Sequence, residues 1–107
     1  MNDVDNLDVI HHAALSVSDI AASVAWYQQR FRCVVVYQDA TWALLKFANM
    51  NIALVVPEQH PPHMGVLHAD AEQFGALTTH RDGTRSVYIA DPDGNQIEVM
   101  DSASVLR

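Results

Sequence analysis

His12-Ala13-Ala14-Leu15-Ser16-Val17-Ser18-Asp19 returns fifty-one residues later as His63-Met64-Gly65-Val66-Leu67-His68-Ala69-Asp70. Each copy opens on a histidine, runs through apolar residues and closes on an aspartate of the kind that caps helices. After Asp19 the spacing of Ile20, Val24, Tyr27 and Phe31 predicts a helix over 20–31 with one apolar stripe. Three short strands are expected next, over 34–37, 42–47 and 52–56, with Asn49-Met50-Asn51 turning between the last two. After Asp70 the sequence predicts a shorter helix over 71–78 and then a hairpin, and 79–85 leaves little room for a middle strand. The orders β-α-β-β-β (about 9–57) and β-α-β-β (about 63–101), joined by a linker over 57–62, predict an α+β fold. Two like modules would pack about a pseudo-twofold, each too small to bury its sheet alone.

The hairpin is the most chemically loaded part of the chain. Asp91-Pro92-Asp93-Gly94-Asn95 is strong turn chemistry: proline presets φ, glycine permits positive φ, and the acidic and amide side chains bond nearby backbone. Its arms carry Tyr88 before the turn and Glu98 after it, with Glu98 on the face opposite Ile97 and Val99. A carboxylate among hydrophobic neighbours is either solvated or held by a partner, because an unpaired buried charge is very costly. His80 precedes the hairpin, and His12 and His63 head matched strands elsewhere. Together these groups suggest a metal site. In the repeat, residues 51–55 correspond to residues 96–100, so Ala53 stands in the first copy where Glu98 stands in the second.

Composition narrows the partners. The chain of 107 residues is half hydrophobic and carries six Lys+Arg against thirteen Asp+Glu, a formal charge of −7. One domain with a real core is expected. Without a basic cluster, nucleic-acid binding is disfavoured. No apolar run approaches the ~20 residues of a membrane span, and the start, Met1-Asn2-Asp3-Val4-Asp5, is acidic where a signal peptide is basic. A soluble cytoplasmic protein is expected, and the single Cys33, beside Val34-Val35-Val36, reads as a buried structural thiol. Adjacent strand residues alternate faces, so His12 is expected inward and His11 toward solvent or an interface. By the same parity Trp42 and Phe47 fall on opposite faces, while Trp26 and Tyr27 are expected to pack beneath the sheet.

The histidine-headed strand, capping Asp19, Ser23-Val24-Ala25-Trp26-Tyr27, and the late Asp91-Pro92-Asp93-Gly94-Asn95-Gln96-Ile97-Glu98 resemble the vicinal oxygen chelate superfamily. That superfamily holds glyoxalase I, type I extradiol dioxygenases, and fosfomycin and bleomycin resistance proteins. The resemblance spans roughly residues 9–101 and implies paired βαβββ modules curling around a metal-binding cup. It assigns the metal to His12, His63 and Glu98, a set that suits Fe(II) or Mn(II) and is compatible with Zn(II) or Ni(II). Glyoxalase I has a fourth ligand where this chain has Ala53. The series from His80 through Tyr88, Asp91-Pro92 and Gly94 to Glu98 is similar to the extradiol signature. There the positions of His80 and Tyr88 bond the substrate and the reacting oxygen. The further acid/base histidine of extradiol enzymes is replaced here around Phe47-Ala48-Asn49, and neither His60 nor His68 aligns with it. The resemblance thus implies a small-molecule substrate chelating through adjacent oxygens, turned over by dioxygenase or by lyase/isomerase chemistry. The alternative is a non-catalytic binding protein of the bleomycin-resistance type that sequesters an aromatic or drug-like ligand. With two incomplete modules and exposed strand edges, a homodimer is expected.

Overall fold

Asp19 accepts the Ala22 amide at 2.9 Å and starts α1 (Ile20–Arg30), whose last turn closes on Phe31. In the computed structural model, which describes residues 7–105, this helix belongs to a first module with strands β1 (Val9–Ser16), β2 (Val34–Gln38), β3 (Trp42–Lys46) and β4 (Asn51–Val55). The second module comprises β5 (His63–His68), a 3-10 turn at Ala71–Phe74, β6 (Thr78–Thr79), β7 (Arg85–Ala90) and β8 (Gln96–Asp101). The acidic start, residues 1–5, lies outside the described residues. Among those described, no helix is long and apolar enough to cross a membrane.

The expected twofold is present in the strand order. One eight-stranded sheet runs β2-β3-β4-β1-β5-β8-β7-β6, so each half reads the same outward from the central β1-β5 pair. β1 and β5 are antiparallel, β1 pairs β4 in parallel, and β5 pairs β8 in parallel. Ala53 and Glu98 occupy equivalent places: Ala14 lies beside Ala53, and Gly65 beside Glu98.

The second module departs from expectation in two ways. The helix expected over 71–78 is only the short turn, because Asp70 makes no side-chain cap and Gly75, at φ +149, ends it after four residues. The space this releases admits a short edge strand: β6 pairs Thr78 with Ser86 and Thr79 with Arg85. The module is therefore a worn β-turn-β-β-β, one strand richer than the sequence suggested.

Alternation along β3 and β4 divides the core. Ala43, Leu45 and Leu54 pack against Ile20 and Val24 of the helix, with Phe47 and the partly buried Cys33 against them. Leu44, Ala53 and Val55 turn to the other face with Ala14, where Trp42 and Tyr37 join them. Phe47 and Trp42 thus do take opposite faces, while Cys33 is less enclosed than expected. Trp26 is not beneath the sheet: it is 47% exposed, its ring faced by the Arg30 guanidinium at 4.2 Å. That cation-π contact on the open side of the helix gives the indole a partner without burial. Phe31 is likewise half exposed at the helix end.

The sheet curls until its two ends meet. Arg81, between β6 and β7, bonds Asp39 Oδ2 at 2.9 Å and donates to Thr41 Oγ1 at 2.8 Å, both between β2 and β3 at the far end of the order. Asp39 is prepared for this by Tyr37 Oη at 2.5 Å, the Thr41 amide and hydroxyl at 2.7 and 2.8 Å, and the Trp42 amide at 3.0 Å. Desolvation raises its carboxyl pKa, but these hydrogen bonds outweigh it and hold the group well below the usual carboxylate range.

Candidate metal centre

Inside this cup, His12 from β1, His63 from β5 and Glu98 from β8 converge. His12 Nε2 and His63 Nε2 are 2.9 Å apart, and Glu98 Oε1 stands 3.2 Å from the first and 3.1 Å from the second. His12 is 5% exposed and Glu98 6%. Strand register brings them together. Gly65 lies beside His12 on one side and beside Glu98 on the other, so the His12 ring crosses Gly65 to reach the carboxylate. A Cβ at Gly65 would fall 2.2 Å from His12 Cε1 and 2.5 Å from Nδ1. Only glycine leaves room for that ring. The sequence reading overlooked this residue, because its role appears only once β1 is paired with β5.

Proton bookkeeping defines what the three atoms want. His63 Nδ1 lies 2.7 Å from the Pro61 carbonyl, which can only accept, so the proton sits on Nδ1 and Nε2 presents a lone pair. Fixing a histidine through its other nitrogen on a backbone carbonyl is the usual support of a metal ligand. His12 Nδ1 meets His11 Nδ1 at 2.7 Å, and one of the two donates. With His11 accepting, His12 Nε2 is also a bare lone pair, and three acceptors face one point. Such acceptors repel unless a cation or a shared proton lies among them. Their separations fit a metal: bonds of about 2.1 Å place neighbouring donors of an octahedron ~3.0 Å apart and of a tetrahedron ~3.4 Å apart. The observed edges favour the octahedral corner, where further positions remain for a ligand.

His11 is where parity misled. Between Ile10 and His12 the β1-β5 register shifts, so two residues of β1 oppose one of β5. This bulge turns His11 toward its neighbour, and the two rings sit edge to face with centroids 5.0 Å apart on the same cavity.

Glu98 is held from behind. Ser86, 1% exposed, donates its hydroxyl to Oε2 at 2.6 Å. Having given its one proton, Ser86 Oγ accepts from His80 Nε2 at 2.6 Å, and His80 also stands 3.3 Å from Oε2. Burial pushes the Glu98 pKa up, while the surrounding imidazoles of His12, His63 and His80 push it down and prevail, so the carboxylate stays ionised below its ordinary range. The Glu98 bond raises the His80 pKa in turn. Ser86 is a second residue that sequence reasoning missed. The signal was there: two residues before Tyr88 on the same strand, it shares the face that Glu98 uses.

Tyr88 lies directly across the hairpin from Glu98. Its hydroxyl is 3.3 Å from His63 Nδ1 and the two rings meet edge to face at 5.1 Å. Burial first, and the Glu98 charge second, raise its pKa well above an ordinary phenol, so it stays a proton donor. All five sequence-selected residues, His12, His63, His80, Tyr88 and Glu98, line one cavity. Trp42, Leu44, Val55 and Met100 form its apolar wall, and His60, Arg81, Asp82 and Thr84 add to its polar rim.

No protein-family model matches the sequence, and no curated relative does. Solved structures do match. A glyoxalase/bleomycin resistance protein/dioxygenase superfamily member from Vibrio splendidus 12B01 superposes with a TM-score of 0.65 at 14% identity, covering 88% of this chain and 98% of that one. The chain has the glyoxalase-like fold. A hypothetical protein from Bacillus halodurans C-125 is similar too, with a TM-score of 0.70 at 10% identity over 87% of this chain and 93% of that one. At such identities the likeness establishes architecture, the curled sheet of paired modules expected of the vicinal oxygen chelate fold.

Proposed function

We propose that this glyoxalase-like chain is a metal-dependent enzyme whose substrate chelates a divalent ion through two adjacent oxygens. The observation that carries this reading is the triangle of His12 Nε2, His63 Nε2 and Glu98 Oε1, with edges of 2.9, 3.1 and 3.2 Å. Fe(II) or Mn(II) is favoured by the two-histidine, one-carboxylate donor set. When bound, the ion would act as a Lewis acid, aligning and polarising the two oxygens, and iron would add redox capacity. Ala53 supplies no fourth ligand, which leaves more positions for the substrate.

The protein's own groups then divide the work. Ser86 and His80 fix the far oxygen of Glu98, so that Oε1 keeps its aim. Tyr88, kept protonated by burial and by the Glu98 charge, donates a hydrogen bond to charge developing on substrate oxygen. His80 balances the carboxylate and lines the same cavity. The wall of Trp42, Leu44, Val55 and Met100 excludes water from the reacting face. A purely sequestering cup would leave unexplained why a buried carboxylate is retained beside two histidines, given its desolvation cost.

The reaction class is read by loading the protein anaerobically with Fe(II) and offering catechols and α-hydroxycarbonyl compounds with and without oxygen. Oxygen-dependent ring cleavage supports the dioxygenase form, and oxygen-independent isomerisation the lyase or isomerase form. Turnover of neither class, by protein holding its metal, defeats the enzyme reading. Tyr88→Phe is expected to lower turnover about 10²–10³-fold, the usual cost of losing one such donor, with metal content unchanged. Unaltered kinetics would reassign the phenol to packing.

We also propose a homodimer. Val34 and Val36 are 63% and 56% exposed on the edge strand β2, and unpaired apolar edges are normally covered. The three donors already meet within one chain, so pairing requires no exchange of modules. Sedimentation as a monomer across the micromolar range would contradict it.

A further inference from the structure

Among the described residues, His60 Nε2 is the buried side-chain nitrogen or oxygen with no hydrogen-bond partner. It belongs to the linker after β4, where the His60 and Gln59 amides both return to the Val56 carbonyl, at 3.1 and 3.0 Å, and hold the imidazole toward the cup. Its ring meets Trp42 edge-on at 6.5 Å and lines the same cavity as His12, His63 and Glu98. Other polar groups around that cavity have a use: His12, His63 and Glu98 converge on the metal position, His80 bonds Ser86, Arg81 bonds Asp39 and Thr84 bonds Asp82. An orphaned buried nitrogen is costly, and in a native protein it asks for a reason. A packing role would be served as well by phenylalanine. We infer that His60 is a ligand-binding residue of the cup, its Nε2 forming a hydrogen bond with a polar group of the chelating substrate.

The inference rests on the metal reading and deepens it. The cavity is small, about 80 Å³, so a ligand chelated at the three donors fills it and meets the linker wall. Burial lowers the His60 pKa, which leaves a neutral imidazole able to give or to accept one hydrogen. Arg81, whose charge also acts on His60, is held by an ion pair with its side chain 58% exposed. Exposed pairs are weak, so this side of the cavity yields to an incoming ligand. The substrate class is narrowed accordingly: a compact molecule with adjacent oxygens and polar, not apolar, atoms toward the Trp42–His60 wall.

The test uses Co(II)-loaded full-length protein and acetohydroxamate, a small two-oxygen chelator, with binding followed by the cobalt absorption and metal measured separately. His60→Phe keeps the ring contact with Trp42 and removes the nitrogen. It is expected to bind hydroxamate about tenfold more weakly, ~1.4 kcal/mol, at unchanged cobalt content, and His60→Gln is expected to recover most of the loss. Equal affinity in wild type and His60→Phe, with cobalt bound in both, overturns the assignment and leaves the metal site standing. A wild type that takes up no cobalt overturns the metal reading and this inference with it.

Discussion

The two modules share one plan and divide its labour unequally. The first keeps a full helix and a full three-strand edge, yet contributes only His12 to the three donors. The second has lost its helix to a four-residue turn and reduced its edge strand to two residues. It supplies His63, Glu98, Tyr88, Ser86 and His80. At the twofold-related place on their strands, β4 carries Ala53 and β8 carries Glu98. The difference teaches that helix packing is what the first half provides, where Leu45 and Leu54 are fully buried beneath α1. The second half, relieved of that task, turns its strands' inner face to polar chemistry.

The sharpest way to break the comparison is at Gly65, the point where the halves touch. A methyl there meets the His12 ring at 2.2 Å, so Gly65→Ala should expel the ring and weaken metal binding by at least about 100-fold, as loss of a ligand or its support does. Isothermal titration of a divalent ion measures it; native affinity would mean that His12 is not a donor. The twofold-related Ala14, opposite His63, already carries a methyl. Ser86→Ala probes the support behind Glu98 and should cost about 10–100-fold in metal affinity. Ser86→Thr, which keeps the hydroxyl, should cost less in that titration.

The smallest effect is expected where the sheet ends meet. Arg81→Ala should lower stability by no more than ~1 kcal/mol, because the pair is exposed and screened. The pH dependence has a definite sign. With its folded pKa depressed below 3.8, Asp39 contributes stability that is present above that value and lost as pH falls through the folded pKa. The Arg81 contribution, measured by urea unfolding, should therefore persist at pH 5 and shrink with added salt. A loss already complete at pH 5 would remove Asp39 as the partner.

Much of this was legible in the sequence, and the failures have physical causes. The repeat of His12 to Asp19 in His63 to Asp70 anticipated the mirrored strand order, and the matched positions of His12, His63 and Glu98 anticipated their meeting. The histidine pair was misread because alternation assumes an unbroken ladder, and the bulge at Ile10–His12 breaks it. The second helix was overestimated because Asp70 looked like a cap, while Gly75 decided the length. Gly65 escaped notice because it matters through a neighbour distant in sequence, His12 on the paired strand, and His60 was set aside because it does not align with the family's acid/base histidine. Register, not residue type, reveals Gly65.

A cation at the centre of three convergent lone pairs is tested directly by elemental analysis of protein loaded with Fe(II) or Mn(II) and freed of excess metal. One divalent ion per chain is predicted for the wild type, with most of it lost in each of His12→Ala, His63→Ala and Glu98→Ala. Retention of the metal in all three variants, or none in the wild type, would contradict it.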